Sequence, residues 1–147
     1  MRWAAVRRKP DPAPGAPRPL GSFADGDDEV YEHYTTGMAL LASGNPAQAA
    51  IRLEKARRGA PGKASVHEAL GRAYFELGRL EDAEAEFRAV IEKTPADDYA
   101  HYCLARVLQR RGRFDEAAGH GKLARAMRPG DQRYRDLFLP PRGQLDS

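Results

Sequence analysis

The sequence lacks most of what an enzyme, a membrane protein or a disulfide-bonded domain requires. Among 147 residues there is a single cysteine, Cys103. No internal disulfide can form, and a reducing environment suits the chain. No stretch approaches the ~18 consecutive apolar residues of a membrane span. No signal-like apolar run follows Met1, so a cytoplasmic location is expected. No alternating strand pattern is present, and therefore no strand that could lead into a glycine-rich phosphate loop. No motif sets a base or an oxyanion donor beside Cys103. With no acid-base or nucleophile constellation, a non-catalytic protein without cofactors is expected.

Charge is present but uneven. Residues 1–24 carry a net +4, with Arg2, Arg7, Arg8, Lys9 and Arg18 against Asp11. Residues 25–98 hold nine basic and fifteen acidic groups, and residues 99–147 hold ten basic and five acidic. The overall +3 therefore describes two basic ends around an acidic middle. Enrichment in Ala, Arg, Gly and Pro points to a bacterium with a GC-rich genome. Pro10, Pro12, Pro14, Pro17 and Pro19 remove amide donors and lock φ, so residues 1–24 should form an extended tail. The basic start around Trp3 and Val6 is too short to hold a membrane alone.

The dominant feature of the rest is a period. Gly37, Gly71 and Ala105 fall 34 residues apart, as do Gly44, Gly78 and Gly112. Ala49, Ala83 and Ala117 follow, then Ala56, Val90 and Ala124, and Pro61, Pro95 and Pro129 close each unit. A period of this length with a central glycine turn means helix-turn-helix units. Helices are predicted at 28–42, 46–58, 65–77, 80–93, 99–111 and 114–128. Gly44 suits a left-handed turn, Asn45 a helix cap and Pro46 a first helical position. Glu81, Asp82, Glu84 and Glu86 read as the solvated start of a helix. His33, His67 and His101 recur at the same period. Equivalent residues on neighbouring helices, ~8–10 Å apart, do not converge on one ion, so these read as packing residues and no metal site is expected. His120 has no evident partner.

One column breaks. Leu53 and Phe87 give way to Gly121, with Gly119 close by. Each glycine costs a helix about 1 kcal/mol against alanine. The last helix should be weak, or should receive a bulky side chain from the next segment. There Asp131 can cap a short helix at 132–139 whose Tyr134, Leu137 and Phe138 share a face. Pro140 and Pro141 end it.

On this period and these columns the chain resembles the tetratricopeptide repeat family, with units at 30–63, 64–97 and 98–131. The domain would span 25–139, between tails at 1–24 and 140–147. The resemblance implies an all-α right-handed solenoid of three helix pairs with a short C-terminal capping helix. It also implies a concave groove lined by the first helix of each pair. Carried over by position, its walls are Tyr31, Tyr34, Met38 and Leu41, then Glu68, Ala69, Arg72 and Phe75. Tyr99, Tyr102, Cys103, Arg106, Gln109 and Arg110 follow. Tyrosine and arginine are enriched at binding hot spots, and arginine grips carboxylates bidentately. The expected role is an adaptor holding a peptide with acidic and apolar residues. Family members that clamp a chaperone's C-terminal carboxylate use Lys, Asn and Arg where this chain has Tyr34, Met38, Ala69, Tyr99 and Cys103, so that clamp is not expected. Two alternatives are a homo-oligomerising scaffold and nucleic-acid binding. The latter would use Arg110, Arg111, Arg113, Lys122, Arg125, Arg128, Arg133 and Arg135.

Overall fold

The computed structural model describes residues 28–137. The two tails, Phe138 and Leu139 lie outside that range. Seven helices follow one another: α1 (Asp28–Ala42), α2 (Pro46–Gly59), α3 (Ala64–Glu76), α4 (Leu80–Lys93), α5 (Asp98–Arg110), α6 (Phe114–Met127) and α7 (Gln132–Asp136). The described residues contain no strand. Boundaries agree with the sequence reading to within about one residue, inside the scatter expected of helix ends.

The turns inside each pair are built alike. Gly44, Gly78 and Gly112 have φ of 82°, 77° and 78°. The next residue then donates its amide back to a carbonyl in the helix just ended: Asn45 to Leu40, Arg79 to Tyr74 and Arg113 to Leu108, at 2.8–2.9 Å. This reverses the chain while satisfying carbonyls that the helix leaves open. The caps differ from expectation. Asn45 makes no cap bond to α2; its Nδ2 donates instead to Ser43 Oγ at 3.0 Å. Pro46 at the first position removes one of the donors a cap would serve. Asp97 caps α5 by accepting from the Ala100 amide, and Asp131 caps α7 by accepting from Arg133, both at 3.0 Å.

Helices pack as α1 on α2, α3 on α4 and α5 on α6, with α2 against α3 and α4 against α5 joining the pairs. α1 also touches α3, and α3 touches α5, whereas no comparable contact joins α2, α4 and α6. The row whose members touch lies on the inside of the curve. Within the first two pairs a glycine admits a large side chain: Gly37 faces Leu53 and Gly71 faces Phe87. In the third pair both positions are small, Ala105 and Gly121, and both are buried. A bulky residue does arrive from α7. Tyr134 is 1% exposed, sits 4.9 Å from the Tyr102 ring and donates to Asp98 Oδ2 at 2.6 Å.

The acidic stretch of α4 is not a solvated face throughout. Glu81 and Asp82 are exposed, but Glu84 and Glu86 are buried. Glu86 takes Arg57 at 2.6 Å and His67 at 2.8 Å. Glu84 takes Arg88, Arg111 and Arg113 at 2.6–2.9 Å. Burial by itself would raise the Glu84 pKa, yet hydrogen bonds from Arg88 and Arg111 and the charges of Arg88 and Arg113 hold it below the usual carboxylate range. These bonds tie one pair to the next: Arg57 comes from α2, and Arg111 and Arg113 from the turn after α5.

Candidate functional site

The predicted groove residues all lie on α1, α3 and α5, the row on the inner side of the curve, but they are not equally accessible. Tyr31, Tyr34 and Met38 on α1 are half-buried, and Tyr34 and Met38 pack against the core. Leu41, Ala69 and Cys103 are buried in it. On α3, Glu68 is half-buried, while Arg72 is 7% and Phe75 4% exposed. On α5, Tyr99 is 1% and Tyr102 7% exposed, Arg106 and Gln109 are half-buried, and Arg110 is exposed.

The reading of Tyr99, Tyr102, Phe75 and Arg72 as open groove walls therefore needs correction. Tyr99 and Tyr102 are covered from α7. Tyr134 packs on Tyr102, and the Arg133 guanidinium lies 5.7 Å from the centroids of both Tyr99 and Tyr102. Phe75 is covered by two cations of α5, Arg106 at 5.2 Å and Arg110 at 5.3 Å from its centroid. Arg106 also lies 5.9 Å from the Tyr102 ring. Such contacts contribute roughly 0.5–2 kcal/mol each, more when dry. Gln109 is engaged as well: its Nε2 donates to the Leu137 carbonyl at 3.1 Å.

Two clusters result. One surrounds Cys103, whose thiol is raised well above its ordinary pKa by burial and the Glu68 charge, with Arg72 and Arg106 opposing. That thiol is no nucleophile. Burial raises the Tyr99 hydroxyl in the same way, and it too feels Cys103, Arg72 and Glu68. Arg72 Nε is buried here with no hydrogen-bond partner among the described residues. The second cluster is Phe75 beneath Arg106 and Arg110, and among the described residues no carboxylate forms an ion pair with Arg110.

Sequence reasoning missed the closing role of Arg133 and Gln109. A signal existed: Arg133 falls in the column of Tyr99, so α7 is a shortened continuation of the inner row. The rival basic surface is partly spent. Arg111 and Arg113 are bound to Glu84, Arg128 lies 3.3 Å from Asp98, and Arg133 lies 2.7 Å from Asp131. No helix of the described residues is long and apolar enough to cross a membrane.

Two family models described as tetratricopeptide repeat match residues 40–107 and 99–120. The chain belongs to the tetratricopeptide repeat family. No curated protein matches the chain. Among solved structures, this tetratricopeptide repeat protein is similar to the first repeat domain of Spaghetti (RPAP3) bound to an HSP90 peptide. The TM-score is 0.72 at 14% identity, over 76% of this chain and 88% of that one. A mutant form of MamA gives a TM-score of 0.66 at 27% identity, over 71% of this chain and 76% of that one. YrrB, described as having an unusual peptide-binding site, gives 0.71 at 19% identity, over 74% of this chain and 56% of that one. At 14% and 19% identity the first and third likenesses show the fold alone.

Proposed function

We propose that the tetratricopeptide repeats form a non-catalytic module that holds a peptide segment of another protein along α1, α3 and α5. The segment carries at least one carboxylate beside an apolar or aromatic residue. The observation that carries this reading is the strip formed by Arg106 and Arg110 over Phe75, with the buried Arg72 Nε close behind it. It offers positive charge and apolar area side by side. Arginine pairs with a carboxylate through two parallel N–H donors, and the ring beneath restricts its rotamers, so less entropy is lost on binding. Two of the similar structures are described by peptides they bind, an HSP90 peptide for Spaghetti and a peptide-binding site for YrrB.

The accessible part of the site is Tyr31, Tyr34, Met38, Glu68, Arg106 and Arg110. Tyr99 and Tyr102 act from below as its floor, set by α7. A randomised-peptide selection on the whole chain tests this reading. Sequences recovered should pair Asp or Glu with an apolar or aromatic residue at fixed spacing. Recovery of basic or composition-neutral sequences would contradict it.

A further inference from the structure

The three histidines of the repeat column share one geometry but have three different partners. Each sits on the first helix of its pair and reaches the residue nineteen positions on, in the second helix. His33 Nδ1 lies 3.3 Å from Arg52, His67 Nδ1 lies 2.8 Å from Glu86 Oε1, and His101 Nδ1 lies 2.9 Å from His120 Nδ1. The same position is thus answered by a cation, a carboxylate and a second imidazole.

In the third pair the hydrogen bonds assign the tautomers. His101 Nε2 is 2.8 Å from the Pro95 carbonyl, which can only accept, so that nitrogen carries the hydrogen. A neutral imidazole has one N–H. His101 Nδ1 is therefore the acceptor, and His120 must donate from Nδ1. The remaining lone pair is His120 Nε2, on a half-buried ring. The two rings are near-parallel at 23°, with centroids 5.1 Å apart.

We propose that His101 and His120 form a latch between α5 and α6 that stays closed with no proton or one proton added and opens with two. The first added proton goes to His120 Nε2 and leaves both hydrogen bonds in place. The second has only His101 Nδ1 to occupy. There it faces the His120 N–H, so donor meets donor and two like charges share one hydrogen-bond distance. Arg88 from α4 adds a third positive charge facing His120, and Glu116 on α6 is the opposing carboxylate. Burial, then His101 and Arg88, already hold His120 below its ordinary range.

α6 depends on this latch more than α4 depends on its own clasp. The buried residues of α6 are Ala117, Gly121 and Ala124, with no large side chain among them. Those of α4 include Phe87 and Val90. Protonation also acts in the opposite sense on the second pair, because a charged His67 is held more tightly by Glu86. Acid therefore loosens α6 while leaving α4 clasped.

Two measurements on the whole chain decide the matter. Ring nitrogen NMR at about pH 7.5 should show His101 as the Nε2–H tautomer and His120 as the Nδ1–H tautomer. An Nε2–H tautomer at His120 would overturn the proposal. Hydrogen exchange, corrected for intrinsic rates, should then show α6 losing about tenfold or more of its protection relative to α4 as pH falls to about 5. An unchanged ratio would also overturn it. In His120→Gln the side-chain amide can still donate to His101 Nδ1 but cannot titrate, so the acid loss should vanish, while His67→Gln should keep it. Acid loss persisting in His120→Gln counts against the latch. If that variant does not fold, the tautomers of the native chain decide alone.

Discussion

The Phe87 ring lies so close to Gly71 that a Cβ added to the glycine would stand 2.8 Å from Phe87 Cζ. A carbon that near cannot be accommodated without moving α4 away from α3. The contact explains why small and large residues alternate between paired columns of the repeat: each helix pair is spaced by one residue without a side chain and one that fills the gap.

Gly71→Ala should therefore destabilise the protein by roughly 1–3 kcal/mol, the usual cost of overpacking. Gly119→Ala should do the reverse. Nothing lies within 4 Å of a Cβ there, and the residue is exposed inside α6. A helix-interior glycine replaced by alanine gains up to about 1 kcal/mol. Urea unfolding followed by circular dichroism separates the two. Equal effects of one sign would show that the glycines are not spacers.

Glu84 is the second test. It is buried, and its three arginine partners are 31–44% exposed, so solvent screening discounts the pairing. Glu84→Gln should still cost roughly 1–3 kcal/mol, because hydrogen bonds to a charged acceptor are lost. The sign with pH follows from the lowered pKa. The carboxylate contributes stability above its ordinary value of 4.5, and that contribution is lost as pH falls through the lower folded value. The gap between wild type and Glu84→Gln should narrow on acidification from about pH 6 to pH 3. A constant gap would mean the side chain acts by shape alone.

Much of this architecture could be read from the period, because each column states which residue must be small and which large. The inner row was also legible, since it follows from which helix of each pair carries the column. Accessibility was not. Tyr99 and Tyr102 look like groove walls by position, but Tyr134 and Arg133 cover them from a segment too short to show the repeat. Glu84 looks like a first-turn carboxylate, but Arg111 and Arg113 reach it from 27 and 29 residues downstream. Asn45 has a capping side chain that found Ser43 instead. Each miss is a long-range partner overriding a local pattern.

Tyr134 probes the end of the stack. Tyr134→Phe keeps the ring on Tyr102 but removes the bond to Asp98, at a cost of about 1 kcal/mol. Tyr134→Ala leaves a cavity and should cost about 3–5 kcal/mol, as for other buried aromatics. Burial and the Asp98 bond push the hydroxyl's pKa well up, so this interaction is unaffected by pH in the neutral range. Thermal unfolding should rank wild type above Tyr134→Phe and Tyr134→Ala lowest. If Tyr134→Ala proved harmless, α7 would not be closing the core.

The groove itself is tested most directly by calorimetric titration of a selected acidic peptide into wild type and into Arg106→Ala with Arg110→Ala. Both arginines lie at the surface of the site, so their removal should leave the fold intact, which a matching unfolding curve would verify. Loss of two charge-assisted contacts, at ~1.5–3 kcal/mol each, predicts at least a tenfold weaker Kd. An unchanged Kd in a folded double variant would contradict peptide binding at this strip and place the interaction elsewhere on the solenoid.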